Sequence, residues 1–223
     1  MTERVSLTNL LGTFRFASNL TLLAADLAGS KWVYKPDRGV QPLWDFAGET
    51  LAAREVLTYE AALRMGLDLV PETRLADGPA GPGSAQRYID EDLEFDPRPL
   101  LGEILDPCLW PVAVLDVVTN NADRKIGHLI KELVTGKLWA IDNGLTFHSD
   151  HKLRTVLWGF AGKALPTHLV GAVSLLRGFE QRVGDMLSLA EAKAFRRRIE
   201  NLLKSRVHPA PPRDRPAIPW PVW

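Results

Sequence analysis

Cysteine is nearly missing from this sequence. Cys108 is the only one, so the chain cannot form an internal disulfide or a Cys-based zinc site, which fits a reducing compartment. Neither sign of charge is in excess, because 27 Lys and Arg balance 27 Asp and Glu. A protein that coats phosphates needs a basic surplus, so nucleic acid is not an expected partner and any anionic ligand needs a local cluster. Long apolar runs are also missing. Nothing approaches the ~20 residues that cross a bilayer, and the opening "MTERVSLTNLLG" lacks the basic-then-apolar order of a secretory signal. The expected location is the cytoplasm. What remains is ordinary globular material. A 46% hydrophobic content over 223 residues suffices for one large domain or two small lobes sharing a cleft, and no internal repeat suggests a solenoid.

Periodicity orders the elements. "KWVYK" alternates like a half-buried strand that Pro36 stops. "ETLAAREVLTYEAALRMG" predicts a helix with Thr50 as its cap and Gly66 at its end. "VPETRLA" and "SAQRYID" read as paired strands around a flexible "DGPAGPGS" connection. Asp106 and Pro107 open a nearly all-apolar buried helix, "DPCLWPVAVLDVV". A polar loop follows, and "HLIKELV", "TGK" and "KLWAI" then predict a hairpin. "PTHLVGAVSLLRGFEQRVGDML" and "SLAEAKAFRRRIENLLKSRV" are amphipathic, the second opening on a Ser188/Glu191 capping box. The tail, "HPAPPRDRPAIPWPVW", is too rich in proline for helix or sheet.

This order predicts an α+β chain of two lobes, strand-rich at about 1–90 and mainly helical at about 91–207, with a hinge near 86–96 and a Pro-rich tail at 208–223. Chemistry concentrates in "VTNNADRKIGHLI", where a polar crowd sits between two apolar runs. The hairpin brings Asp123 and Asp142 toward one place, and such a carboxylate pair serves as acid and base or as a base beside a metal ligand. His128 adds an imidazole, and Asn121, Arg124, Lys125 and Asn143 add donors suited to phosphate oxygens. Taken singly, each has a commonplace role: an Asp that caps a turn, or a solvated strand lysine.

The ordered set "VYKP", "REVLTYE", "NNADRKIGH" and "AIDNGLTF" resembles the catalytic domain of phosphoinositide 3- and 4-kinases, most closely the type II phosphatidylinositol 4-kinases with their small bacterial relatives. The resemblance covers about residues 12–160 and implies a protein-kinase-like, phosphoinositide-kinase-like fold. It makes Lys35 the ATP-phosphate lysine and Glu55 its helix partner, with Glu60 as the fallback. Asp123 becomes the base or the orienter of the acceptor hydroxyl, Arg124 its supporting cation and Asp142 the principal magnesium ligand. Ser18 and Asn19, in a "GTFRFASN" loop that replaces a GxGxxG, are implied phosphate contacts, and Gln86 completes the ATP-binding set.

His128 stands where the family carries a metal-binding Asn, which favours manganese over magnesium, and Lys125 replaces a common His. ATP with Mg or Mn is the implied cofactor set. The acceptor is a hydroxyl of an inositol-containing metabolite or lipid, or of a protein Ser or Thr; AMP transfer and a nucleotide-binding pseudokinase scaffold are alternatives on the same frame. Lys152, Arg154 and Lys163 are placed to receive an anionic acceptor and Trp158 and Phe160 to touch a membrane surface peripherally, although the commoner arrangement has such aromatics packed under the loop and the charges solvated; the tail is placed to dock on a protein partner.

Overall fold

Strands with one buried face need partners on both edges, and the first third of the chain closes that requirement on itself. In the computed structural model the described residues are 4–15, 19–41, 46, 50–102 and 105–223. β1 (Val5–Thr13), β2 (Leu22–Asp26), β3 (Lys31–Pro36), β4 (Thr73–Gly78) and β5 (Gly81–Arg87) form a closed barrel in the order β1-β2-β3-β5-β4. Leu7, Leu22, Ala24, Trp32, Tyr34, Ala76 and Ala85 pack in one cluster. Alternation then turns Lys35 to the other face of β3, opposite Ser84 of β5.

The Gly/Pro-rich stretch between β4 and β5 is not the flexible connection that its composition predicts. Gly78 and Gly83 stand where the barrel closes tightly: a Cβ on Gly83 would lie 2.2 Å from the Lys35 carbonyl, and one on Gly78 would lie 2.9 Å from the Tyr34 ring. Only Pro79 and Ala80 are left to make the turn.

Helix α1 (Leu51–Arg64) packs on β4 and β5. Thr50 does not cap it. The Thr50 backbone is already helical and its side chain caps nothing; its hydroxyl accepts from Arg54 Nε at 3.0 Å instead. Past β5 the chain crosses toward the second lobe, where Asp92 N donates to Lys131 O and Leu133 N donates to Asp90 O, both at 2.8 Å.

The second lobe is built round α2 (Trp110–Thr119), which the Asp106 carboxylate introduces by accepting from Cys108 N at 2.8 Å. Eight of its ten residues are buried, so it forms the spine against which α1, α3 (Thr167–Ser174) and α5 (Leu189–Ser205) pack. The helix predicted as one piece before α5 is two, α3 and α4 (Phe179–Met186). Gly178 takes a φ of 85° between them, a conformation that glycine adopts at low cost. Ser188 caps α5 by accepting from Glu191 N at 3.2 Å. Between the helices, β6 (Leu129–Lys131) and β7 (Leu138–Ala140) form the expected hairpin. No helix among the described residues is long and apolar enough to cross a membrane.

Candidate active site

β3, α1 and the turn after β7 converge on Lys35. Its Nζ lies 2.6 Å from Glu55 Oε1 and 2.9 Å from Asp142 Oδ1. Burial works against the Lys35 ammonium, but Asp142 and Glu55 outweigh it and hold the group above its ordinary range. Lys35 in turn draws the Asp142 carboxyl well below the usual carboxylate range. Glu55 is buried and carries a second bond, accepting from Asn143 N at 3.0 Å. One glutamate therefore fixes both the strand lysine and the turn that carries Asp142. Glu60 takes no part, because its carboxylate is held by Arg182 of α4, with both bonds at 2.8 Å.

Asp142 has a φ of 57°, in the left-handed region. Asp and Asn tolerate that region better than other non-glycine residues because their short side chains bond locally. The consequence is directional. The Asp142 side chain stays 53% exposed, with Oδ2 3.4 Å from His128 Nε2. Burial lowers the His128 pKa to about 4 despite the pull of Asp142, so the imidazole is neutral at physiological pH; its Nδ1 accepts from Lys125 N at 3.4 Å, which leaves the proton on Nε2, toward Asp142.

Asp123 lies on the loop after α2, with its amide held by Asn121 Oδ1 at 2.9 Å and Lys125 Nζ 3.2 Å from its Oδ2. Burial, reinforced by the charge of Asp142, lifts its pKa to about 6 against the opposing pull of Lys125. A carboxylate that titrates near neutrality suits proton abstraction. Lys125→Met is expected to move that titration further up, since it removes the main cation that favours the charged form. If Asp123 is the base, the acid limb of kcat/KM, near pH 6 in the wild type, shifts to higher pH in the variant. An unmoved limb would take Asp123 out of that role.

Arg124 does not supply a cation to the open side of the site. Its side chain is fully buried and binds Asp116 of α2 through Nε at 3.1 Å and one terminal nitrogen at 3.0 Å. Its other bonds go to Ile141 O at 2.9 Å and Asn143 Oδ1 at 2.6 Å. Asp116 also accepts from Asn121 Nδ2 at 3.0 Å and faces Thr155 Oγ1 at 3.4 Å. Burial raises the Asp116 carboxyl, while Arg124, Asn121 and Thr155 oppose that rise. This pair ties α2, the Asp123 loop, the Asp142 turn and the 153–158 segment into one block. Sequence reasoning missed Asp116, although a lone carboxylate within an apolar helix is a signal, because a buried charge requires a partner.

The remaining expected contacts divide. Asn19 Oδ1 accepts from Gln41 N at 2.8 Å, so that side chain ties the loop after β1 to the segment that follows β3. Ser18 lies outside the described residues. Gln86 shares a face of β5 with Ser84, opposite β3, and its Nε2 donates to Thr73 Oγ1 at 3.0 Å. Phe160 does not face a membrane. It is 2% exposed and stacks on Trp110 with the rings 4.0 Å apart, while Trp158 Nε1 donates to Ala217 O at 2.7 Å.

No protein-family model matches the chain. A curated relative, protein Rv2133c of Mycobacterium tuberculosis, is 36% identical over 255 aligned positions that cover 96% of this chain and 91% of the relative. The chain belongs to the Rv2133c family. Solved structures place this Rv2133c-family chain among kinase-like folds. The Helicobacter pylori proinflammatory kinase CtkA matches with a TM-score of 0.59 at 12% identity, over 91% of this chain and 93% of the other. The Golgi casein kinase with Mn and ADP bound matches with a TM-score of 0.57 at 11% identity, over 92% and 73%. At such identities the likeness is one of fold: a strand-rich first lobe on a mainly helical second lobe.

Proposed function

We propose that this Rv2133c-family protein is an ATP-dependent phosphotransferase that moves the γ-phosphoryl group to a hydroxyl acceptor. The observation that carries this reading is Lys35 held between Glu55 and Asp142 while Asp123, titrating near neutrality, stands within electrostatic reach of Asp142. Phosphoryl transfer has a loose transition state and asks for positioning and charge neutralisation more than covalent chemistry. Lys35 orients the nucleotide phosphates. Asp123 takes the proton of the acceptor hydroxyl as its oxygen bonds to the γ-phosphorus, and the bond from that phosphorus to the β–γ bridging oxygen breaks to release ADP. The Asp116–Arg124 pair keeps the two carboxylates in register. The proposed lobes meet near residue 90, and the proposed setting is the cytoplasm.

The donor set fits a metal that arrives with the nucleotide. Among the described residues no group of three or more His, Cys, Asp or Glu is placed to hold an ion, but the Asp142 carboxylate and the His128 imidazole face one another across 3.4 Å. Asp142 would hold the ion, and His128 would join through Nε2 once its proton leaves that nitrogen, with nucleotide phosphates completing the shell. The metal would supply neutralisation of charge on the β- and γ-phosphates. An imidazole in place of an amide oxygen favours manganese over magnesium. His128→Asn is expected to reverse that preference by about tenfold in the affinity ratio, read by calorimetry with a non-hydrolysable ATP analogue. An unchanged ratio would remove His128 from the metal shell.

The resemblance to type II phosphatidylinositol 4-kinases supports an inositol-containing acceptor. The fold shared with CtkA and the Golgi casein kinase supports a protein hydroxyl, and the geometry of the tail, below, favours it. The test is transfer from γ-labelled ATP to myo-inositol and to casein, with Mg and Mn compared. Metal-dependent labelling of either acceptor supports the reading. ATP binding without transfer to either acceptor or to water, with both metals, would replace it with a nucleotide-binding scaffold.

A further inference from the structure

We infer that Ile126, Thr155 and Trp158 form a docking edge for an extended polypeptide on the acceptor side of the site, and that residues 214–223 are its built-in occupant. This rests on the phosphotransferase reading above. The segment carrying Thr155 runs between two neighbours. On one side Arg124 N donates to Arg154 O at 3.0 Å and Val156 N donates to Arg124 O at 3.2 Å, pairing the segment with the loop of Asp123. On the other side Thr155 N donates to Ala217 O at 3.1 Å, and Ile126 N, three residues past Asp123, donates to Val222 O at 3.0 Å. Trp158 Nε1 adds a third donor, also to Ala217 O. The lobe presents N–H groups and the tail presents carbonyls.

Proline suits this arrangement. Pro216, Pro219 and Pro221 have no N–H to leave unpaired, and the tail bends at 218 and at 220–221 between its two carbonyl contacts. The tail contributes side chains at its margins: Arg215 donates to His151 O at 2.5 Å, and Arg98 lies 5.8 Å from the Trp223 ring. Its large apolar side chains are mostly in solvent. Ile218 is 51%, Trp220 89% and Trp223 59% exposed, whereas a segment belonging to the core would bury them. The buried anchor comes earlier, at His208, which is 1% exposed among Trp110, Trp158 and Phe160. Beyond that anchor Pro219 is again buried, and the rest of the chain is a strap held mainly through main-chain carbonyls, which any polypeptide carries. An acceptor polypeptide docks by displacing it, in the manner of strand addition.

The test uses the chain stopped after Arg213, which keeps the His208 anchor, and a fluorescent peptide spanning residues 212–223. The stopped chain is expected to keep its melting temperature and bind the peptide saturably. Amide exchange at Ile126 and Thr155 is expected to rise about tenfold and to be restored by the peptide. Casein labelling from γ-labelled ATP is expected to rise about tenfold over the full chain, with the peptide as competitor. Absence of peptide binding would overturn the inference, as would exchange that opens across α2 and α5. So would a rise for myo-inositol with none for casein, which would make the strap a gate for small acceptors.

If neither chain transfers phosphate but the peptide binds and protects these amides, the phosphotransferase reading fails and the docking edge stands. Should the stopped chain not fold, Trp158→Phe in the full chain removes one donor. Faster exchange at Thr155 is then expected, and unchanged exchange would overturn the inference.

Discussion

Asp142→Asn is expected to lower phosphoryl transfer by about two to three orders of magnitude while leaving the fold in place. Asn is the right probe because the φ of 57° at this position suits it as well as Asp, so backbone strain is not introduced. What it removes is the charge. The amide cannot ion-pair with Lys35, now 2.9 Å away, or offer a carboxylate to a metal beside His128. Lys35 keeps Glu55, so nucleotide binding is expected to weaken less than turnover does.

A stability signature accompanies the kinetic one. Lys35 holds the folded-state pKa of Asp142 below its unfolded value, so the pair's stabilisation is present above the ordinary carboxylate range and is lost as pH falls through the depressed value. Asp142→Asn is expected to flatten that part of the acid-unfolding curve. Turnover within about twofold of wild type would show that Asp142 carries no chemistry.

Arg124→Met is expected to cost about 3–5 kcal/mol of folding stability, the range for breaking a buried ion pair. It leaves the Asp116 carboxylate inside α2 without its cation, and it frees Ile141 O and Asn143 Oδ1 from their partner. Adding Asp116→Leu is expected to recover a large part of that loss, because an apolar pair does not pay the desolvation that two charges do. The double variant is nevertheless expected to turn over slowly. Its fold is repaired, but the link from the Asp123 loop to the Asp142 turn is not. Urea unfolding beside kcat checks both expectations, and a single variant costing under about 1 kcal/mol would contradict the positioning role of the pair.

The Lys35–Glu55 contact was legible through the resemblance to phosphoinositide kinases, and strand alternation with 3.6-residue helix periodicity gives that pairing a physical basis. The hairpin that carries His128 and Asp142 was legible for the same reason. Arg124 was not, since a loop residue beside a candidate base is equally able to turn inward, and only the buried Asp116 decides the direction. Asn19 and Gln86 were placed in the right elements, but each bonds a nearby partner that one-dimensional pattern does not reveal. The glycines of β4 and β5 read as flexibility because their need, close approach to Lys35 and Tyr34, arises only when the barrel closes. The prolines of the tail excluded helix and sheet but gave no sign of its bends at 213–215, 218 and 220–221 or of where it lies. Its contacts with Ile126 and Thr155 span tens of residues and depend on main-chain carbonyls that every sequence has.

In the proposed phosphotransferase Asp123 does the chemistry and the Lys35–Glu55–Asp142 constellation binds the nucleotide. The most direct test is metal-dependent transfer of the γ-phosphate from labelled ATP by wild type and Asp123→Asn, with ATP binding and thermal melting measured on the same samples. The variant is expected to lose transfer by about two orders of magnitude or more and to keep its ATP affinity. It is also expected to melt no lower at neutral pH, because a carboxylate titrating near pH 6 is destabilised in its charged form by burial. Transfer undiminished in Asp123→Asn would remove Asp123 from the chemistry.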